Sequence, residues 1–175
     1  MQTLSSREVY RNAWLSVRED RIRRDDGSEG IYGVVEKDDF AVVIPREPDG
    51  SVWLVEQFRY PVGFRTWEFP QGGWPAGAEG TPEQLAVAEL REETGLTAGS
   101  VRHLGHLYAA YGFCDQGFDV YLATDLSPGP PAREATEQDM RHRRFTADQF
   151  EAMVRDGSFV DGPSLAALSL LTLRG

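Results

Sequence analysis

The stretch TPEQLAVAELREETGL, residues 81–96, begins with helix-start signals and ends with a helix-stop signal. Thr81 can act as the N-cap, Pro82 suits the first helical position, and Gln84 completes a capping box. Gly95 can adopt the left-handed conformation that ends a helix. The sequence therefore predicts a helix within these residues.

Three carboxylates of this helix crowd together. At about 100° per residue, Glu89, Glu92 and Glu93 project within roughly one third of the helix circumference. Like charges at these spacings weaken an isolated helix, so a compensating cation is expected. Mg²⁺ takes carboxylate oxygens together with water and substrate phosphate oxygens. A solvated acidic face is the alternative interpretation, because such faces are common.

The residues around the carboxylates resemble the Nudix hydrolase signature. The glycine-rich stretch EFPQGGWPAGAEG, residues 68–80, precedes the helix, and AELREETGL, residues 88–96, lies within it. The last part of the signature matches Glu89, Leu90, Glu92, Glu93, Gly95 and Leu96. Ala88 stands where the pattern has arginine, and the glycine loop is one or two residues longer than the pattern.

A second resemblance concerns the branch of the family. EQFRYPVG, residues 56–63, follows VREDRIRRDDG, residues 17–27, as in the ADP-ribose or nucleoside-diphosphate-sugar pyrophosphatases. This resemblance implies hydrolysis of a pyrophosphate bond in a nucleoside diphosphate sugar such as ADP-ribose, giving a nucleoside monophosphate and a sugar phosphate. It also implies Mg²⁺ as cofactor, with Mn²⁺ as a substitute.

Two alternatives stay open. The proline that ADP-ribose-specific relatives carry after the signature is missing from LYAAYGF, residues 107–113, where Tyr108 and Tyr111 occur instead. An aromatic residue there resembles hydrolases of dinucleoside polyphosphates, so these compounds or nucleoside triphosphates are alternative substrates. Ala88 and Gln116, which depart from the family pattern, suggest a non-catalytic ligand sensor as a further alternative.

The candidate catalytic residues follow from the needs of pyrophosphate hydrolysis, in which water must be deprotonated and phosphoryl charge neutralised. We expect Glu89 and Glu93 to ligate the metal, Glu92 to share or support ligation, and a backbone carbonyl near Gln71 or Gly72 to supply another oxygen. Relatives often take the general base from a later loop. The candidate here is Glu137, against the alternatives Asp115, Asp119 and Glu134.

Substrate-binding candidates lie before the glycine loop and after the helix. Arg59 and Arg65 flank the turn PVGF, and guanidinium groups suit phosphate contacts. Surface salt bridges are the alternative reading of both arginines. Glu68 and Tyr111 complete the set, since a tyrosine ring can stack on a base.

Composition narrows the class of protein. The chain has 175 residues, 41 % of them hydrophobic, which is enough for one good core. A net charge of −10 argues against nucleic-acid binding. No apolar run approaches the roughly 20 residues of a membrane span, and the polar start lacks a signal-peptide core. A single cysteine, Cys114, excludes an internal disulfide and agrees with the cytoplasmic location that we expect. The resemblance implies a small nucleotide as substrate.

The order of strand and helix patterns predicts a mixed α+β fold. The resemblance implies an α/β/α sandwich with a mixed central sheet over residues 40–175, preceded by a small antiparallel sheet over residues 1–39 that contributes to a homodimer. Helices are predicted near residues 146–155 and from Pro163 onward. Strands are predicted at residues 32–35, 41–45, 52–58, 101–107 and 120–122.

Overall fold

The computed structural model describes residues 1–75, 77–132 and 139–174. The strands formed by these residues are β1 (Gln2–Arg11), β2 (Ser16–Arg23), β3 (Glu29–Glu36), β4 (Phe40–Pro45), β5 (Val52–Arg59), β6 (Phe64–Glu68), β7 (Gln71–Gly72), β8 (Thr97–Tyr108), β9 (Gly117–Ser127) and β10 (Arg141–Phe145). The helices are α1 (Pro82–Thr94), α2 (Ala147–Arg155) and α3 (Gly162–Arg174). Each predicted strand lies within an observed one, and the predicted helices are present. None of the helices in the described ranges is long and apolar enough to cross a membrane.

The predicted ends of α1 are confirmed. The Thr81 hydroxyl accepts the backbone N–H of Gln84 at 3.2 Å, and the Gln84 side chain accepts the backbone N–H of Thr81 at 2.9 Å. Gly95 is left-handed, with φ 76°, and its N–H donates to the carbonyl of Arg91. Local signals therefore fix both ends of the helix that carries the three glutamates.

The central sheet is mixed and has the strand order β7, β4, β9, β8. Strand β4 runs parallel to β9, whereas the other neighbouring pairs are antiparallel. Because successive side chains of a strand point to opposite faces, Ala41 and Val43 pack under α1, while Val42 and Ile44 join the core against α2 and α3. Helices on both faces confirm the predicted α/β/α sandwich.

A second sheet, antiparallel in the order β10, β5, β6, adjoins the central one. Its register pairs Arg59 with Phe64 and Phe58 with Arg65. Directly paired residues share a face, and neighbouring pairs alternate. Arg59 and Arg65 therefore lie on opposite faces of this sheet.

Strands β1, β2 and β3 form the predicted small antiparallel sheet at the N-terminus. The backbone of Val35 in β3 exchanges hydrogen bonds with the loop after β8, donating to Phe113 and accepting from Asp115. The Tyr32 hydroxyl donates to the carbonyl of Gly112 at 2.7 Å. These contacts hold the N-terminal sheet against the end of the central sheet.

Candidate active site

A cavity of about 640 Å³ opens where the N-terminal sheet, the glycine loop and the start of α3 meet. Its lining combines charged, polar and aromatic side chains from distant parts of the sequence. Residues of this lining include Trp14, Lys37, Arg59, Gln71, Gly72 and Asp161. The cavity thus reaches the strand β7 against which α1 packs.

Two of the three predicted metal ligands lie directly behind strand β7, which forms this part of the cavity wall. The Glu93 side chain is fully buried, and its Oε2 accepts the backbone N–H of Gln71 at 3.2 Å. The carboxylate of Glu89 fills the space beside Gly72, where an added Cβ would lie 2.5 Å from Oε1 and 2.6 Å from Oε2. A residue without a side chain at position 72 is what allows this approach. The structure therefore brings Glu89, Glu93 and the Gly72 backbone together.

The third glutamate has a different environment. Glu92 is partly exposed, and its backbone carbonyl accepts the N–H of Ala132 at 3.0 Å. This contact ties the end of α1 to the segment that follows β9. Ala88, at the position where the family pattern has arginine, is also partly exposed.

The chemistry of these donors suits a hard divalent cation. Among the residues that the structure describes, no three His, Cys, Asp or Glu side chains form a group that could hold a metal ion. Mg²⁺ is usually bound in proteins through one or two carboxylates, with water and substrate phosphates completing its shell. A pair of carboxylates beside a backbone segment at the cavity wall meets that requirement.

Arg59 is the predicted phosphate-binding residue that reaches the cavity. Its Nε donates to Oε2 of Glu68 at 3.0 Å, and its Nη2 donates to Oε1 of the same carboxylate. Burial alone would lower the pKa of Arg59, but the charges of Glu68, Asp161 and Glu93 raise it above its ordinary value. Arg59 is therefore cationic in the presence of several carboxylates.

Glu68, the second residue of this pair, lies beneath the cavity. Its side chain has no exposed area, and burial raises its pKa despite the adjacent guanidinium. Oε1 also accepts the Gln57 amide at 2.8 Å. Both carboxylate oxygens therefore bond to the protein.

The other predicted residues lie elsewhere or outside the described residues. Arg65 donates to Glu56 at 3.0 Å and to Asp139 at 2.6 Å, on the face of the sheet opposite Arg59. Tyr111 is 85 % exposed in the loop that holds the N-terminal sheet. Glu137 lies outside the described residues.

Two alternatives to Glu137 have structural partners. The Asp115 carboxylate accepts the backbone N–H of Lys37 at 3.1 Å. Asp119 lies between two imidazole rings, 2.7 Å from Nε2 of His103 and 3.3 Å from Nδ1 of His106. Their carboxylates therefore help to hold the loop after β8 and the strand pair β8 and β9.

The cavity residues that were not predicted from the sequence include Trp14 and Asp161. Trp14 lies in the connection between β1 and β2, is 77 % exposed, and reaches the cavity from the N-terminal sheet. Asp161 caps α3 by accepting the N–H of Ser164 at 2.9 Å, and it accepts the Gln71 amide at 3.1 Å. The sequence DGPS is a helix-start signal that could have identified Asp161. No local pattern identifies Trp14, because only the docking of the N-terminal sheet brings it there.

Comparison with known families gives two matches along the chain. A model described as the nucleoside diphosphate sugar hydrolase N-terminal domain matches residues 1–35. The NUDIX domain model matches residues 36–167.

Individual relatives cover nearly the whole chain. The ADP-ribose pyrophosphatase of Mycobacterium tuberculosis is 32 % identical over 168 residues, covering 95 % of this chain and 81 % of the relative. The ADP-ribose pyrophosphatase of Bacillus subtilis is 25 % identical, covering 99 % and 93 %. The methanol dehydrogenase activator of Bacillus methanolicus is 22 % identical with the same coverage.

Among solved structures, a crystal structure of an ADP compounds hydrolase superimposes with a TM-score of 0.83. It covers 98 % of this chain and 91 % of that one at 19 % sequence identity. This likeness concerns the fold.

Proposed function

Because the chain belongs to the Nudix hydrolase family, we propose that it hydrolyses the pyrophosphate bond of a nucleoside diphosphate sugar such as ADP-ribose. The products are a nucleoside monophosphate and a sugar phosphate. The observation that carries this proposal is the cavity in which Arg59 lies together with the Gly72 backbone, behind which Glu89 and Glu93 are packed. Relatives named ADP-ribose pyrophosphatases, which align over both parts of the chain, support the substrate class.

The proposed cofactor is Mg²⁺, with Mn²⁺ as a substitute. Glu89, Glu93 and the carbonyl of Gly72 would hold it, and Glu92 would share or support this ligation. When bound, such an ion neutralises phosphoryl charge and lowers the pKa of bound water. The chain itself contributes two buried carboxylates: Glu93 accepts the Gln71 N–H, and Glu89 occupies the space that Gly72 leaves open.

The proposed substrate contacts come from three parts of the chain. Arg59 donates to a phosphate oxygen, since guanidinium groups are strong phosphate ligands. Trp14 offers an exposed indole face at the cavity, on which a base can stack. Tyr111 is a second candidate for stacking. Glu137, which lies outside the described residues, is the proposed general base, because its place in the sequence matches the later segment from which relatives often take this group.

We also propose that residues 1–39 form a dimerisation element. The first strand, β1, is almost entirely exposed. Large apolar side chains on these residues are exposed as well: Val9, Tyr10, Trp14, Ile31 and Tyr32. Exposed apolar surface of this kind often marks a protein interface. Light scattering after size-exclusion chromatography should give the mass of two chains, and a monomer at micromolar concentration would remove the proposal.

A substrate panel tests the proposed reaction. Nucleoside diphosphate sugars, dinucleoside polyphosphates and nucleoside triphosphates are each incubated with Mg²⁺, and the released monophosphate is quantified by chromatography. ADP-ribose should give the highest kcat/KM. A higher kcat/KM for dinucleoside polyphosphates or nucleoside triphosphates would show that the proposed substrate class is wrong. Binding of ADP-ribose without turnover, in Mg²⁺ or Mn²⁺ and up to alkaline pH, would instead support a ligand sensor.

A further inference from the structure

The guanidinium of Arg59 is held on one side only. Strands β5 and β6 pair so that Arg59, Gln57 and Glu68 share one face. The Nε and Nη2 groups of Arg59 both donate to Glu68, which is fully buried, whereas the Arg59 side chain keeps 39 % of its exposure. Within the described ranges, Nη1 donates no hydrogen bond. The pair therefore has a buried anionic end and a cationic end at the cavity.

Two carboxylates besides Glu68 act on the Arg59 guanidinium. Asp161 and Glu93 lie close enough that their charges also raise the pKa of Arg59. A long, flexible side chain among three carboxylates has several alternative positions, and a bidentate pair is the strongest of the available contacts. Gln57 fixes the carboxylate of Glu68 in turn, by donating to Oε1. In the structure Glu68 is the carboxylate that holds the Arg59 guanidinium.

Stability alone is a weak reason for this arrangement. Burial of a carboxylate costs free energy that its ion pair only partly offsets, and apolar replacements of buried pairs are often neutral or stabilising. The raised pKa of Glu68 reflects that cost of burial. A buried acid next to a cavity arginine is better explained by the orientation that it gives the arginine.

We propose that Glu68 is a positioning residue, which holds Arg59 so that Nη1 stays available to the diphosphate of the substrate. The inference rests on the proposed function, because it assumes an anionic ligand in this cavity. It also assigns Glu68 a different role from the direct substrate contact that the sequence suggested. The substrate would meet the guanidinium and not the carboxylate beneath it.

The test is kinetic. Glu68→Gln keeps the side-chain volume but removes the negative charge, so KM should rise about 10-fold or more, as expected for the loss of one charge-assisted hydrogen bond, while kcat changes less than about 3-fold. Arg59→Ala should raise KM at least as much. In the double variant, Glu68→Gln should add nothing to Arg59→Ala, because both changes remove the same contact.

The same two strands supply a matched control. Glu56 on β5 forms an ion pair with Arg65 on β6, at an N–O distance of 3.0 Å, on the opposite face of the sheet. Glu56→Gln should therefore leave KM within about 2-fold of wild type. If Glu68→Gln leaves KM unchanged, lowers only kcat or thermal stability, or still raises KM in the Arg59→Ala background, the positioning role is wrong.

Two further measurements keep the proposal testable. If Glu68→Gln does not fold, Gln57→Leu removes one hydrogen bond from the same carboxylate; it should raise KM about 2- to 5-fold, and only when Arg59 is present. Inorganic pyrophosphate is tested as a competitive inhibitor of the cleavage of whichever panel compound is cleaved best. Its inhibition constant should rise in Glu68→Gln by the same factor as KM. If wild type cleaves none of the compounds, the proposed function fails, and calorimetric binding of pyrophosphate with Mg²⁺ still decides whether Glu68 acts through Arg59.

Discussion

A Cβ atom on Gly72 would lie 2.5 Å from Oε1 of Glu89, so the glycine leaves the room that this carboxylate occupies. The contact joins β7, which lines the cavity, to the middle of α1. The predicted ligand arrangement therefore depends on the absence of a side chain on one strand as much as on the carboxylates of the helix.

Gly72→Ala should lower kcat by about 10-fold or more, because the new methyl group displaces the Glu89 carboxylate by more than the tolerance of a catalytic site. The free energy of unfolding should change by no more than about 1 kcal/mol, since the group that must move is the end of a flexible side chain. Gly73→Ala is the matched control, because its Cβ would meet nothing closer than the Asp39 carbonyl at 3.5 Å. Equal kcat values for wild type and Gly72→Ala would contradict the assignment of Glu89.

Glu93→Gln should retain the fold but lower metal-dependent kcat by about two orders of magnitude or more. Glutamine keeps an oxygen that can accept the Gln71 N–H, so circular dichroism and the melting temperature should stay close to wild type. Glu83→Gln removes an exposed carboxylate from the first turn of the same helix and serves as the control. Near-normal turnover by Glu93→Gln would refute its role as a metal ligand.

Mg²⁺ should raise the melting temperature of the wild-type protein in the absence of substrate. A ligand that binds only the folded state stabilises it by about 2.7 kcal/mol when present at 100 times its Kd. Differential scanning fluorimetry with chelator, Mg²⁺ or Mn²⁺ should show this stabilisation in wild type and Glu83→Gln, but a reduced one in Glu89→Gln and Glu93→Gln. The same stabilisation in all four proteins would place the metal elsewhere.

Gly95→Ala should destabilise the protein more than Gly157→Ala. Both glycines have φ 76°, so both substitutions carry the same backbone strain of about 1 kcal/mol. A Cβ on Gly95 would also overlap the carbonyl oxygen of Gly129, whereas one on Gly157 would meet nothing within 4 Å. Urea denaturation measures the difference in stability between the two variants. Equal midpoint concentrations of urea would show that the chain near Gly129 can move aside without a loss of stability.

Trp14→Ala should raise KM for a nucleotide substrate about 5- to 150-fold, since stacking of a base on an aromatic ring is worth about 1–3 kcal/mol. Trp14→Phe keeps an aromatic face and should recover most of the affinity. Both variants remove the indole and share any change in the connection between β1 and β2. The difference in KM between them therefore measures base stacking. Wild-type KM in Trp14→Ala would exclude this side chain from base recognition.

Some elements were predictable because their signals are local. The capping box of α1 and the left-handed Gly95 are set by residues within a few positions of the helix ends. Strand β10, with the sequence RHRRF, has no comparable signal. It forms because Arg141 to Phe145 pair with Glu56 to Val52, which lie far away in the chain. Such pairing is decided by packing and not by the composition of the segment.

The two arginines illustrate the same limit within the site. Arg59 and Arg65 flank one turn and are chemically identical, so the sequence offers no reason to prefer either. The register of β5 and β6 puts them on opposite faces, where Arg59 meets the cavity and Arg65 meets Glu56. A shift of one residue in that register would put both arginines on the same face of the sheet.

The sequence by itself determined the helix with its three glutamates and the family, because these depend on residues that are near one another in the chain. Tertiary structure decided which side chains share the cavity. Trp14, Arg59, Gly72 and Asp161 come from four separate segments and meet only when the N-terminal sheet, the strand register and the start of α3 are in place. The physical reason is that side-chain chemistry is local, whereas the distance between two segments is set by the packing of all elements between them.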